Sequence, residues 1–238
     1  MTGVTAGRIT SAPFNVTIFA CSVIGIGGAL LLQGLSAWQC VDSRRFLAYL
    51  AIATLGGMLK IKVPGTEGTF SLSFVAILIS VGDLTFGETA LIGAVATAVQ
   101  CFWKARPRPT PLQLSFNIGA FVISIAVCFL ASRSAFAVAV LRDNLIAQIS
   151  VVTCVFFTVN TTLVSGVIAT MEKRPLWEIW HRWFAWSFPY YLTGAIVSGL
   201  VVVSTHRSGW ATSLLVLPIM LFVYAYHRMH SEQNRFHL

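Results

Sequence analysis

Apolar residues run in long blocks along this chain, and the polar ones fall mainly in the gaps between them. The blocks cover roughly 14–38, 46–60, 70–82, 86–103, 113–131, 144–170, 184–204 and 210–226. Such blocks predict helices apolar on every side, the pattern of membrane spans rather than of amphipathic helices over a water-soluble core. A helix needs about 20 residues to cross the hydrocarbon of a bilayer, so the blocks at 46–60 and 70–82 are short for that task. Between them lies Lys60-Ile61-Lys62-Val63-Pro64-Gly65-Thr66-Glu67-Gly68-Thr69, polar and rich in helix breakers. The two short blocks are therefore either spans joined by a loop or a broken, re-entrant pair. The expected fold is all-α: a polytopic integral membrane helical bundle of six to eight segments, forming a single domain over 1–238.

Local signals refine this outline. Residues 1–13 are polar with a single Arg8, and the block from Phe14 is too long for a signal-peptide core and lacks a small-residue cleavage site. Trp38, Trp103 and Trp210 fall at block ends, where an amphipathic ring prefers the membrane interface. Trp177, Trp180, Trp183 and Trp186 recur every three residues around Glu178, His181 and Arg182. This spacing predicts a helix near 175–184 lying on the cytoplasmic surface, with its rings forming an aromatic belt. Pro189 and Pro218 inside blocks predict kinks, and Arg106-Pro107-Arg108-Pro109-Thr110-Pro111 predicts an extended connector.

Composition narrows the class. Apolar residues make up 56% and charged residues 10%, with a mean hydropathy of +0.79, against ~25% charged in soluble domains. A cytosolic enzyme, a secreted disulfide domain and a disordered chain are all excluded by that balance. The net charge of +8 raises nucleic acid as a partner, but the basic residues sit between the apolar blocks, so topology and anionic lipid headgroups account for them better. With eight segments, eleven basic residues fall on one face and five on the other. That excess places both termini in the cytoplasm.

Few residues offer chemistry. The five cysteines are scattered and form no C-x-x-C pair, so neither disulfides nor a zinc site is expected. His227, His230 and His237 read as a solvated tail, since too few other ligands lie near them for a metal. There is no G-x-S-x-G, H-E-x-x-H or Walker loop, and neither enzymatic activity nor a cofactor is expected. Asp83 and Glu88, at predicted span ends, read as solvated loop charges. Polar groups inside spans are costly unless paired. Asn117 and Asn160 therefore either hold a polar ligand head or hydrogen-bond a neighbouring helix. In the segment 60–73, Lys60 and Lys62 either neutralise an anionic head group or snorkel at an interface, while Glu67, Ser71 and Ser73 add polar contacts around a backbone break.

These residues also carry a resemblance. The run Lys60-x-Lys62-Val63-Pro64-Gly65-x-x-Gly68-Thr69-Phe70-Ser71-Leu72-Ser73-Phe74 resembles the MASE-like N-terminal multispan region that precedes HD-GYP phosphodiesterase or GGDEF cyclase domains in bacterial signalling proteins. Gly87-Glu88-Thr89-Ala90, Phe116-Asn117, Val159-Asn160-Thr161 and Trp186-x-x-Pro189-Tyr190-Tyr191-Leu192-x-Gly194-Ala195 are similar to later steps of that region. The likeness spans most of 46–230, and about a dozen residues follow the last block, so no catalytic domain is expected here: the chain is either a stand-alone relative or a truncated one. The resemblance implies a membrane sensory or ligand-binding module without turnover of a cyclic dinucleotide. The expectation is a module for a small amphipathic ligand held by Lys60, Lys62, Glu67, Ser71, Asn117 and Asn160. A small-molecule transporter, or the substrate-capture subunit of one, is the alternative. Its expected partners are membrane lipids and a second copy or a signalling protein.

Overall fold

The apolar blocks fold into helices, and their ends are set by residues that satisfy the free backbone groups there. The computed structural model describes residues 14–62, 69–134, 144–184 and 187–233; at 61, 62, 69, 70, 183 and 227–233 it describes the backbone. In chain order come α1 (Phe14–Ser36), α2 (Ser43–Met58), a hairpin of β1 (Lys60–Lys62) and β2 (Thr69–Ser71), α3 (Ser73–Asp83), α4 (Phe86–Phe102) and α5 (Pro111–Ser132). Then follow α6 (Leu145–Glu172), α7 (Leu176–Trp183), α8 (Phe188–Ser208), a 3-10 turn (Trp210–Leu215) and α9 (Val216–Gln233). Four of these helices, α1, α5, α6 and α8, are long and apolar enough to cross a membrane; α3, α4 and the stretch Trp210–Tyr226 are apolar but shorter.

Caps fix the boundaries. Asp42 accepts from the Arg44 and Arg45 N–H groups at 3.1 Å to start α2, and Asn144 accepts from Ala147 N–H at 3.0 Å to start α6. Thr85 with Glu88, and Thr110 with Gln113, form reciprocal capping boxes at α4 and α5. Each such cap satisfies donors that would otherwise be orphaned, typically worth about 1 kcal/mol. Pro189 lies in the first turn of α8 and Pro218 is the third residue of α9. Neither sits mid-helix as the kink expectation required. A proline in the first turn loses no intrahelical bond, so it starts a helix rather than bending one.

The tryptophan-rich helix forms at Leu176–Trp183, where the spacing predicts it. Helix α7 folds back against α6: Ile179 is fully buried, and the Trp180 indole N–H donates to Thr161 Oγ1 at 2.8 Å, about three turns back from the end of α6. Trp177 stacks on Trp180 at 5.5 Å but stays exposed, so the stripe divides between the bundle and its surroundings. The side chains of Trp183 and Trp186 lie outside the described residues.

Helix α3 occupies the centre, packed by α2, α4, α5, α6 and α8. It runs alongside α8 from the second turn of that helix onward: Phe74 packs on Gly194, and Ser198 Oγ donates to the Val75 carbonyl at 3.2 Å. Its first residue therefore lies inside the bundle, level with the second turn of α8, and the hairpin fills the space on the near side. Against α4 and α5, α1 packs through glycines. A Cβ at Gly27 would overlap the Gly119 backbone, and one at Gly87 would overlap that of Gly34, so only glycine permits these crossings.

Adjacent glycines of α1 should respond with opposite sign. Nothing lies within 4 Å of a Cβ built at Gly28. In detergent-solubilised protein, Gly27→Ala is expected to lower the unfolding temperature, at about 1–3 kcal/mol for overpacking. Gly28→Ala should raise it, by up to about 1 kcal/mol from helix propensity. Equal responses in thermal unfolding would contradict the crossing.

Candidate functional site

Two polar clusters interrupt the apolar interior, one at each end of α3. The first grows from the hairpin, whose register pairs Lys60 with Ser71. Lys60 Nζ donates to the Trp103 carbonyl at 2.6 Å, placing a cation at the negative end of α4. Ser71 Oγ hydrogen-bonds Ser73 Oγ at 2.7 Å and donates to Gln100 Oε1 at 2.8 Å. On the next residue of α4, the Cys101 thiol accepts from Asn117 Nδ2 at 3.3 Å. Side chains of β1, β2, α3, α4 and α5 thus meet in one region.

Thr97 completes the cluster. It lies three and four residues before Gln100 and Cys101, on the same face of α4. Only 4% of it is exposed, and its hydroxyl has no hydrogen-bond partner among the described residues. Helical threonines usually satisfy their hydroxyl on the carbonyl one turn back, as Thr153 and Thr161 do here at 2.7 and 2.6 Å. Gly93 and Cys101, one turn to either side of Thr97, both face α5, through Phe121 and Asn117 respectively. Thr97 therefore lies on the face of α4 that packs against α5. Leu72, the residue that precedes α3, offers no side-chain cap, so the first turn of that helix presents its positive end here.

Lys60, Ser71 and Asn117, all expected from sequence, are brought together. Asn160 belongs to a neighbouring aromatic group: it hydrogen-bonds Tyr191, which packs on Phe74 at 4.7 Å and Phe157 at 4.9 Å. Phe121 and Phe156 meet at 5.1 Å, and Asn117 and Asn160 each lie one turn from that pair. Glu67 lies outside the described residues, as does the side chain of Lys62, whose backbone pairs with Thr69. Ser73 stood inside the expected segment, whereas Thr97, Gln100 and Cys101 went unnoticed. Their i, i+3, i+4 spacing in an otherwise apolar block was the available signal.

The second cluster corrects the reading of Asp83 and Glu88 as solvated loop charges. The Asp83 side chain is 3% exposed. Its Oδ2 accepts from Tyr49 OH at 2.6 Å, and Tyr49 OH also contacts Ser213 Oγ at 2.9 Å, which meets Thr205 Oγ1 at 3.0 Å. Glu88 is buried because its carboxylate closes the α4 capping box, accepting from the Thr85 N–H at 2.9 Å and hydroxyl at 2.8 Å. The same carboxylate faces Cys40 in the loop after α1. Desolvation, reinforced by Glu88, holds that thiol above the ordinary thiol range.

No protein-family model, curated protein or solved structure matches this chain. The site must be read from its own geometry. Among the described residues no group of three or more His, Cys, Asp or Glu could hold a metal ion. The hairpin cluster instead offers hydrogen-bond donors and one ammonium to a small polar group.

Two measurements check this arrangement. Replacing Gln100 with Met removes the acceptor of the Ser71 hydroxyl, which keeps Ser73, and should cost about 1 kcal/mol in thermal unfolding. Ser71→Ala should cost less in that background than in the parent, since both changes delete the same bond, whereas simple additivity would contradict the linkage. Separately, peptide-resolved maleimide labelling at about pH 8, below the ordinary thiol pKa, should be faster at Cys40 in Glu88→Gln than in the parent. An unchanged rate would remove Glu88 as the cause.

Proposed function

We propose that this chain is a membrane-embedded sensory or ligand-binding module that takes a small amphipathic ligand and acts by binding rather than turnover. In this reading it sits in a bacterial inner membrane as a bundle of six to eight segments. Four apolar helices of spanning length support that placement. The eleven-to-five split of basic residues supports cytoplasmic termini. The MASE-like pattern of the 60–74 segment supports a signalling context.

The observation that carries the reading is the buried hydroxyl of Thr97, without a partner among the described residues, on the α4 face that packs against α5. A buried hydroxyl without a partner costs about 1–3 kcal/mol, and that cost is offset when a ligand supplies the partner. Around it, Lys60 and the first turn of α3 favour a negatively charged or strongly accepting head group. Asn117 supplies a directed amide. The apolar remainder of the ligand would lie against Phe121 and Phe156, with Asn160 beyond them. Lys62, Glu67 and Ser71 belong to the same segment, and in this reading they frame the head group. Membrane lipids surround the module, and a second copy or a signalling protein receives its output.

One feature favours the second reading, a small-molecule transporter or its substrate-capture subunit. A helix that begins inside the bundle after a non-helical hairpin is the broken-helix device of many transporters. Substrate flux into liposomes containing the purified protein separates the two, because a sensor binds without transporting.

Thr97→Val tests the binding reading through two effects of opposite sign. Removing the unpartnered hydroxyl should raise the unfolding temperature of ligand-free protein and reduce the co-purifying small molecule seen by native mass spectrometry. Asn117→Leu and Asn160→Leu should reduce that species as well. Retention of the same molecule by all three variants, or no small molecule on the parent protein, would overturn the reading.

A further inference from the structure

We infer that Asp83 and His206 form a proton-binding site at the end of the bundle opposite the hairpin, and that its occupancy fastens the end of α8 and the 3-10 turn onto α3. This does not rest on the ligand-binding reading, since it uses different residues at the other end of α3.

Asp83 is the last residue of α3, where the negative end of the helix disfavours a carboxylate. Burial disfavours the charge further. The partners it has are few. Tyr49 OH donates to one carboxylate oxygen, and His206 Nε2 lies 3.5 Å from the other. Among the described residues, no lysine or arginine makes an ion pair with it. When His206 carries a proton it is the cation next to this carboxylate, while Arg45 acts from further off on the Tyr49 hydroxyl. The His206 side chain is 61% exposed, so protons from the surroundings reach it freely. Imidazole is also the side chain that ordinarily changes charge between about pH 5 and 8.

Other charges lie nearby. On α2, Arg45 lies 3.7 Å from Asp42, its own helix cap, and its charge also acts on Tyr49. On α4, Glu88 is held by Thr85. On α8, Arg207 follows His206 and is exposed. The Tyr49–Ser213–Thr205 hydroxyl chain ties α2, the 3-10 turn and α8 to the same carboxylate in either protonation state. Proton binding by His206 adds an ion pair to this frame, and proton loss leaves Asp83 with its hydrogen bond from Tyr49. The sign follows directly: the added fastening is present at low pH while Asp83 remains ionised. It is lost when His206 gives up its proton.

Hydrogen exchange of residues 203–215 in the full chain, held in lipid nanodiscs and corrected for the intrinsic effect of pH, reads the fastening. Between about pH 5.5 and 8 the parent protein should open this segment two- to fivefold more, roughly the range an ion pair with one exposed partner supports. His206→Gln should be flat at the high-pH level, and His206→Lys, permanently charged, flat at the low-pH level. Tyr49→Phe should raise exchange at every pH while keeping the pH dependence, which separates the structural hydroxyl chain from the titrating pair. A flat profile in the parent, or a parent-like pH dependence in His206→Gln, would overturn the proposal.

Discussion

Helix α3 has no side facing the surroundings of the bundle, because every residue from Ser71 to Val81 is buried. A helix so enclosed must find most of the partners for its ends within the protein. The polar groups of the interior follow from this constraint. At the first end, Ser71 and Ser73 lean on Gln100, and at the second, Asp83 leans on Tyr49 and His206. Neither cluster belongs to one segment of sequence, because a central helix is surrounded by whatever packs on it.

The glycine crossings make that enclosure possible. Without close approach at Gly27–Gly119 and Gly34–Gly87, α1 would stand away from α4 and α5. In hydrocarbon, apolar side chains gain little by leaving lipid for a neighbouring helix, so close backbone packing must supply the association. The aromatic group of Phe74, Phe121, Phe156, Phe157 and Tyr191 then fills the space around the start of α3. Trp180, brought back by α7, closes it from the side through Phe157 and Thr161.

Much of the helical architecture was legible in the sequence, because long apolar blocks leave the chain few alternatives to helix. The shortness of 46–60 and 70–82 and the breakers between them correctly marked the place where the fold is irregular. Lys60, Ser71 and Asn117 were also legible, since polar residues in apolar surroundings are rare enough to single out. What failed was the reading of charges by distance from a block end. Asp83 and Glu88 occupy similar positions in the pattern as solvated loop charges, yet both are buried. For Glu88 the capping spacing from Thr85 was a usable signal. For Asp83 there was none, since Tyr49 and His206 lie far away in sequence and only the packing of α2 and α8 on α3 brings them together. The tryptophan stripe marked its helix, α7, but not what each ring meets. A period of three residues shows that rings share a helix face, but not whether that face meets a lipid surface or another helix.

The two proposed sites share one rigid body. Eleven residues of α3 separate them, about 16 Å of uninterrupted helix, and an α-helix of that length transmits displacement along its axis rather than absorbing it. A ligand seated at the first turn of α3 and a proton held at its last residue both act on the position of the same element. If either shifts that position, linkage requires the coupling to be reciprocal: a ligand that draws α3 away from α8 must weaken proton binding by the factor by which the proton weakens ligand binding. The size of that factor is limited by the weaker partner, here an ion pair with one exposed imidazole. Such a bundle would tune ligand affinity by pH over a few-fold rather than switch it on and off.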